Sequence, residues 1–423
     1  MVMDREGRNR IRTLDGDQLN DLQLQKLNFL LKKILPENEF YSEKLSETQT
    51  QLSSLDELQN LPYTFKDELV SSGSKNDFAA NLTYPVSDYI RFHRTSGTSG
   101  RPMVVLDTAD DWQWWIETWQ YVLDGAEIEA GDTVLLAFSF GPFIGFWSAF
   151  DALIHRKALV VPGGGLTTLA RIDLMRSTGA TTVFCTPSYA IHMAEIASEN
   201  QINVAELPIK TVFVAGEPGG SVPEIREKIE TAWDAKLFDH SGASEVGPWG
   251  FADASNTGLH IIESEFIAEF RSVETGQEAE EGELSELVLT TLGRFGSPVI
   301  RYRTGDLVRP SWNSDGDCNF VFLKGGVLGR ADDMMVIRGV NIFPASIEKI
   351  LRSYPEIIEY QMTATKNGAM DSLSIDIEDR LDQPERVEKA LAVRIGLKVN
   401  VNCVEIGSLP RFEGKGKRFI DKR

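Results

Sequence analysis

The sequence predicts an α/β fold in two parts. A large N-terminal domain over residues 1–330 combines mixed and parallel sheets with helices and a β-barrel-like portion, and a small α+β domain follows over 331–423. Three observations predict this. Short β-rich runs alternate with helical stretches from residue 132. After about residue 255, strand-like runs succeed one another without long helices. A glycine-flanked pair of aspartates then precedes a last set of helices and strands.

Residues 18–60 read as polar helices, with LNFLLKKIL the clearest amphipathic segment. The alternating region carries strands at TVLLAF (133–138), ALVV (158–161), TTVFCT (181–186) and TVFVAG (211–216). Helices start at Pro187 and Ser221, with Pro223 in the first turn, where a missing N–H costs little. Such alternation implies parallel strands covered by helices, with ligands beyond the carboxyl ends of the strands. HIIESEFIAEF and SELVLTTL then suggest antiparallel pairing. The segment GGVLGRADDMMVIRGV (325–340) leads into ASIEKILRSY, YQMTAT, SLSIDI, PERVEKALAVRIG and KVNVNCVEI. This is a helix–strand unit of about 90 residues, large enough for its own core. The domain boundary falls at Arg330–Asp332.

The composition, 42% hydrophobic and 25% charged over 423 residues, is that of a globular protein. The net charge of −20 argues against nucleic acid as a partner, so a polyanionic ligand needs a local basic or amide-rich site. No run of about 18 apolar residues suggests a membrane span, and MVMDREGRNR lacks the apolar stretch of a secretory signal. Cys185, Cys318 and Cys403 are scattered and form no CxxC pair, which favours a reducing, cytoplasmic setting.

The first chemical signal is RFHRTSGTSGRPMVVL (91–106), where strand-like sequence flanks Thr95, Ser96, Gly97, Thr98, Ser99 and Gly100. Glycines let backbone N–H groups approach an anion, and the hydroxyls add hydrogen bonds. No GK[ST] follows, so this is not the P-loop. DHSGASEVGP (239–248) places Glu245 after a glycine turn, and RYRTGDLV (301–308) places Asp306 after another. LGRADDMMVIRGVNIFP (328–344) follows, and LPRFEGKGKRFIDKR (409–423) closes the chain.

In this order and at these separations, the motifs resemble those of the adenylate-forming ligase superfamily. Within it they are most similar to the phenylacetate–coenzyme A ligase family. LPYTFKDEL (61–69), FCTPSYAIHMAE (184–195), FVAGEPGG (213–220) and PVIRYRTGDL extend the likeness over nearly the whole chain. The resemblance implies ATP-dependent conversion of a carboxylic acid, an aromatic one, to an acyl-adenylate with release of pyrophosphate, followed by transfer to the thiol of coenzyme A. The small domain would be mobile. Loading of a carrier-protein phosphopantetheine, AMP transfer to another cofactor, and a degenerate nucleotide-binding scaffold are the alternatives, and a homodimer is left open.

Residue by residue, the resemblance implies that the loop at 95–100 cradles the β- and γ-phosphates of ATP. Arg101 stands where many relatives have lysine. Glu245, with Ser244 beside it, would help hold Mg²⁺, and Asp306 would accept hydrogen bonds from the ribose hydroxyls. Arg330 would contact ribose or the α-phosphate. Gly216 and Glu217 would lie near the adenine and the acyl pocket, which Tyr189 borders. Lys415 would bridge the substrate carboxylate and the α-phosphate, because an anion attacking an anion needs a cation fixed between them. Lys417 is a nearby rival. Asp332 matches the hinge about which the small domain swings, and Gly339 would lie beside the pantetheine arm.

The sequence departs from the family in places. Ser241, preceded by His240, replaces the tyrosine usual in the adenine motif. His240 then meets the acyl group, acts near the thiol, or serves as a packing or hydrogen-bonding residue. His260 matches a zinc ligand of some relatives, but the accompanying cysteines are absent, so no zinc is expected. AFSFGPFIGFWSAF (137–150) offers Phe140, Phe143, Phe146 and Trp147 either as a flat apolar acyl pocket or as core. Trp112, Trp114, Trp115 and Trp119 read as packing between subdomains.

Overall fold

A computed structural model describes residues 3–70, 78–95, 102–138, 140–253, 258–312, 317–331, 335–337, 340–342, 344–367, 370–395, 399–411 and 418–423. The largest sheet has nine strands. Lys236–Ala243, Thr211–Ala215, Thr182–Cys185, Thr133–Leu136 and Leu159–Pro162 lie side by side and parallel. Their inner members are buried Val, Leu and Phe runs, as strands covered on both faces require. Gly247–Phe251, Gly258–Ile261, Phe322–Lys324 and Pro310–Ser311 extend the sheet in antiparallel fashion.

One covering helix begins at Pro187 as the sequence places it, and the other begins at Pro223, two residues after the expected Ser221. Pro187–Glu199 and Pro223–Trp233 both carry proline in the first turn, and Thr186 caps the former through the Tyr189 N–H. The antiparallel portion expected after residue 255 is divided. Part extends the large sheet, and part forms a separate sheet in the order Phe266–Ser272, Ser285–Thr291, Tyr302–Val308, Gly329–Arg330.

Helix Ala109–Gly125 runs through the main core. Trp112, Trp114, Trp115 and Trp119 are all buried in one cluster with Phe138, Phe213, Phe238 and Phe266, which bears out their reading as packing. Three of the indole N–H groups reach polar partners on other elements: Asp151, Glu265 and Ser148. Tryptophan is tolerated in a core on that condition.

The C-terminal residues have a core of their own. Helices Pro344–Arg352 and Pro384–Ile395 supply Ile347, Leu351, Val387 and Leu391 to one cluster. Tyr360, Ile375 and Val401 join it from a four-stranded sheet ordered Asn400–Cys403, Met370–Asp379, Ile357–Asn367, Phe419–Lys422. Among the described residues no helix is long and apolar enough to cross a membrane.

Candidate active site

The phosphate-loop arms are a real hairpin. Strands Tyr89–Arg94 and Val104–Thr108 pair antiparallel, with Arg94 opposite Val104. Thr95 closes it twice, donating its N–H to the Met103 carbonyl at 3.0 Å and accepting from the Met103 N–H on its hydroxyl at 2.9 Å. Ser96, Gly97, Thr98, Ser99, Gly100 and Arg101 lie outside the described residues, as do Asp332, Gly339, Lys415 and Lys417.

Tyr302 is the centre around which other expected residues gather. Its hydroxyl donates to Glu245 Oε1 at 2.9 Å, and Glu245 also lies 3.7 Å from the Lys66 ammonium. Four residues along the same strand, Asp306 faces Arg330 across the ladder, with the guanidinium 3.2 Å from Asp306 Oδ1. Burial, then the nearby Glu245 carboxylate, push the Tyr302 phenol far up, so it stays a donor. Glu245 is thus bonded to this phenol, and Asp306 and Arg330 lie within its electrostatic reach. The sequence reading missed Lys66, although its motif, LPYTFKDEL, was recognised. A lysine opening the short helix Lys66–Leu69 was the available signal.

Gly216 sits at the carboxyl end of strand Thr211–Ala215 with φ +93°, a conformation glycine adopts without penalty. The turn aims Glu217 at the amino end of helix Pro187–Glu199, where the Ser188 N–H donates to it at 2.8 Å and the Ser188 hydroxyl adds a second bond. Burial nonetheless raises this carboxyl, assisted by like charge on Glu348, while Arg418 pulls the other way. Glu348 and Arg418 belong to the small domain, so that domain lies within electrostatic reach of this corner.

Two expected acyl-pocket residues are buried rather than open. Tyr189 has no exposed surface. Its hydroxyl is shared by Thr168 at 3.1 Å and by the buried Arg171, whose own Nε donates to the Gly163 carbonyl. The Arg171 guanidinium lies over this ring, 5.0 Å from its centroid. His240 is 6% exposed and packs 4.4 Å from the Trp119 ring. Its Nδ1 meets the Gly250 carbonyl at 2.6 Å and must carry the proton. Burial lowers this imidazole to about 4, so it is neutral near pH 7.

The aromatic segment does have an open edge. Phe138 stacks on Phe146 at 4.3 Å, and Phe140 meets Trp147 edge-on at 5.2 Å. Phe143 stands 39% exposed with its edge toward Phe146.

His260, by contrast, lies in a closed environment, with Nε2 3.1 Å from Asp253 Oδ2 and Nδ1 3.1 Å from the Phe320 carbonyl. Among the described residues no group of three or more histidine, cysteine, aspartate or glutamate side chains could hold a metal ion.

Comparison with known proteins points to one family. Residues 339–423 match the AMP-binding enzyme C-terminal domain. A phenylacetate–coenzyme A ligase of Pseudomonas putida is 30% identical over 429 residues, covering 97% of this chain and 96% of the relative. A crystal structure of 2-hydroxyisobutyryl-CoA ligase in the postadenylation state, with its acyl-AMP bound, is 26% identical. It superposes with a TM-score of 0.92 over 100% of this chain and 94% of that one. The same ligase in its thioesterification state, covered to the same extent and also 26% identical, gives only 0.75. With motif order in agreement with 30% identity over nearly the whole length of both proteins, the chain belongs to the phenylacetate–coenzyme A ligase family of adenylate-forming, AMP-forming acid–thiol ligases.

Proposed function

We propose that this chain uses ATP and Mg²⁺ to convert an aromatic carboxylic acid into its acyl-adenylate and then passes the acyl group to coenzyme A. The observation that carries the reading is the cluster around Tyr302. A carboxylate suited to ribose hydroxyls, Asp306, and a carboxylate suited to a hard cation, Glu245, lie within electrostatic reach of the same phenol.

Glu245 fits Mg²⁺ chemically. Both described contacts fall on Oε1, and Oε2 has no partner among the described residues. One carboxylate together with phosphate oxygens and water is an ordinary magnesium environment. When bound, the ion would offset phosphate charge. The protein's own residues then have separate tasks. Asp306 accepts from the ribose, Arg330 meets ribose or the α-phosphate, and Lys415 is carried in by the small domain to stand between the two reacting anions. The acid is already ionised at neutral pH, so the step needs no general base. Withdrawal of that domain would remove Lys415 and bring Gly339 to the pantetheine arm, with Asp332 as the pivot. The closer likeness to a postadenylation arrangement supports placing the present arrangement before that swing.

The exposed edge of Phe143 and the half-buried Phe140 favour a flat apolar acyl group. The test is pyrophosphate release over a panel of aryl and aliphatic acids, with and without coenzyme A. Arylacetates or benzoates should lead, and free acyl–coenzyme A should form. Preference for aliphatic acids would overturn the aromatic assignment. Adenylation without any coenzyme A product would move the acceptor to a carrier protein.

A further inference from the structure

Below the phosphate hairpin lies a buried ion pair that no sequence motif announced. Asp107, on the strand Val104–Thr108 that returns from the loop, is wholly buried, and so is Arg294. Arg294 Nε donates to Asp107 Oδ1 at 2.8 Å, and Nη2 approaches the same oxygen at 2.7 Å, out of line for a second hydrogen bond. The third nitrogen, Nη1, donates at 2.9 Å to the carbonyl of Ser244, the residue immediately before Glu245. One guanidinium therefore holds the arm of the phosphate hairpin with one edge and the turn that carries Glu245 with another.

The surroundings leave Arg294 little freedom. Its carbon lies 5.4 Å over the Trp115 ring. The glycines flanking it at 293 and 296 have no room for a side chain: a Cβ would come within 2.3 Å of Trp114 at the first and of Asp111 at the second. The Gly296 N–H is anchored on Asp111 at 3.0 Å. A buried pair of this kind is a weak source of net stability, but it fixes geometry, since breaking either partner strands a charge.

We propose that Arg294 is a positioning residue for the metal-bound nucleotide. Held by Asp107, it sets the distance between the phosphate hairpin and Glu245, so that a triphosphate and its Mg²⁺ are gripped together. This rests on the adenylation reading given above. Arg294 touches no reacting atom; it acts through Glu245 and the hairpin. A pair that only stabilised the fold would weaken nucleotide binding equally with and without the metal. A spacer between the two grips would weaken the cooperation between them.

The test uses the full chain and α,β-methylene-ATP, in which the bond broken during adenylation cannot be cleaved. Its dissociation constant is measured by calorimetry with and without Mg²⁺ for the wild type, for Arg294→Lys, and for Asp107→Leu combined with Arg294→Met. The double variant removes the pair as a unit and leaves no stranded charge, so it keeps the test alive if the single variant fails to fold. The expected result is that the factor by which Mg²⁺ tightens binding falls about 10-fold in the variants, the size usual for residues that orient a metal ligand. Metal-free binding should change far less. An unchanged factor in folded variants would overturn the positioning role alone. A wild type that binds no analogue would overturn the adenylation reading and this inference with it.

Discussion

Replacing His260 by glutamine should remove a charge that the fold holds at neutral pH. Both ring nitrogens face acceptors, Nδ1 the Phe320 carbonyl and Nε2 the Asp253 carboxylate, each at 3.1 Å. A neutral imidazole has one N–H and can satisfy only one of them. Burial works against the charge, but the hydrogen bonds to Asp253 and Cys318 outweigh it and raise the imidazole from 6.5 to about 10. The folded value lies above the unfolded one. The stabilisation is therefore fully present below pH 6.5 and is lost as pH rises through about 10. Each tenfold change in proton affinity is worth 1.36 kcal/mol, so the whole effect is on the order of 5 kcal/mol, of which about 2.5 kcal/mol should disappear between pH 7 and 9. The chain has more than one core, so unfolding midpoints of wild type and His260→Gln should be compared at each pH, and their gap should narrow as pH rises. Nitrogen-15 spectra of labelled histidine supply the direct check. Both His260 nitrogens should carry protons through pH 8. A neutral tautomer at pH 7.5, or a gap between the proteins that does not narrow, would refute the reasoning.

His240 should behave in the opposite sense. Its folded value of about 4 lies below the unfolded 6.5, so up to about 3 kcal/mol of stability should be lost as pH falls from 6.5 toward 4, and His240→Gln should flatten that acid slope. Lys415→Ala should slow adenylation at least about 10²-fold while sparing transfer from preformed acyl-adenylate, the size expected for a lost transition-state charge partner; equal losses in both half-reactions would contradict the role. Asp332→Pro should impair thioester formation more than adenylation, because proline fixes φ at the pivot; separate assays of the two half-reactions decide it.

The parts of the fold that the sequence disclosed are those set by local chemistry. A proline at the first turn marks where Pro187–Glu199 and Pro223–Trp233 begin, and short buried runs between glycine or polar turns mark the parallel strands. Glu245, Asp306 and Arg330 were legible because each stands in a recognisable motif. What escaped was whatever depends on pairing between distant segments. Strand register puts Asp306 opposite Arg330, and nothing near either residue encodes it. Lys66 reaches Glu245 only once the short helix bearing it has docked. Tyr189 shows the same dependence: its motif supplies the ring, but its partner Arg171 comes from a different helix.

The same long-range pairing bears on how so acidic a chain can receive ATP. The described cations near the site are already matched with carboxylates: Arg330 with Asp306, Lys66 with Glu245, and Arg418 with Glu359 at 2.6 Å. These pairs keep basic side chains in place without leaving a standing positive field; Arg330–Asp306 and Lys66–Glu245 are partly exposed, where such a pair is worth little, whereas Arg418–Glu359 is buried. On the proposed reading a nucleotide would enter by substitution: its ribose hydroxyls would satisfy Asp306 and free Arg330 for phosphate, and a divalent cation held by Glu245 would free Lys66. Binding on these lines should be cooperative between metal and nucleotide, because each frees a cation for the other. Arg294, which ties the Glu245 turn to the phosphate hairpin, is placed to transmit that cooperation through the fold.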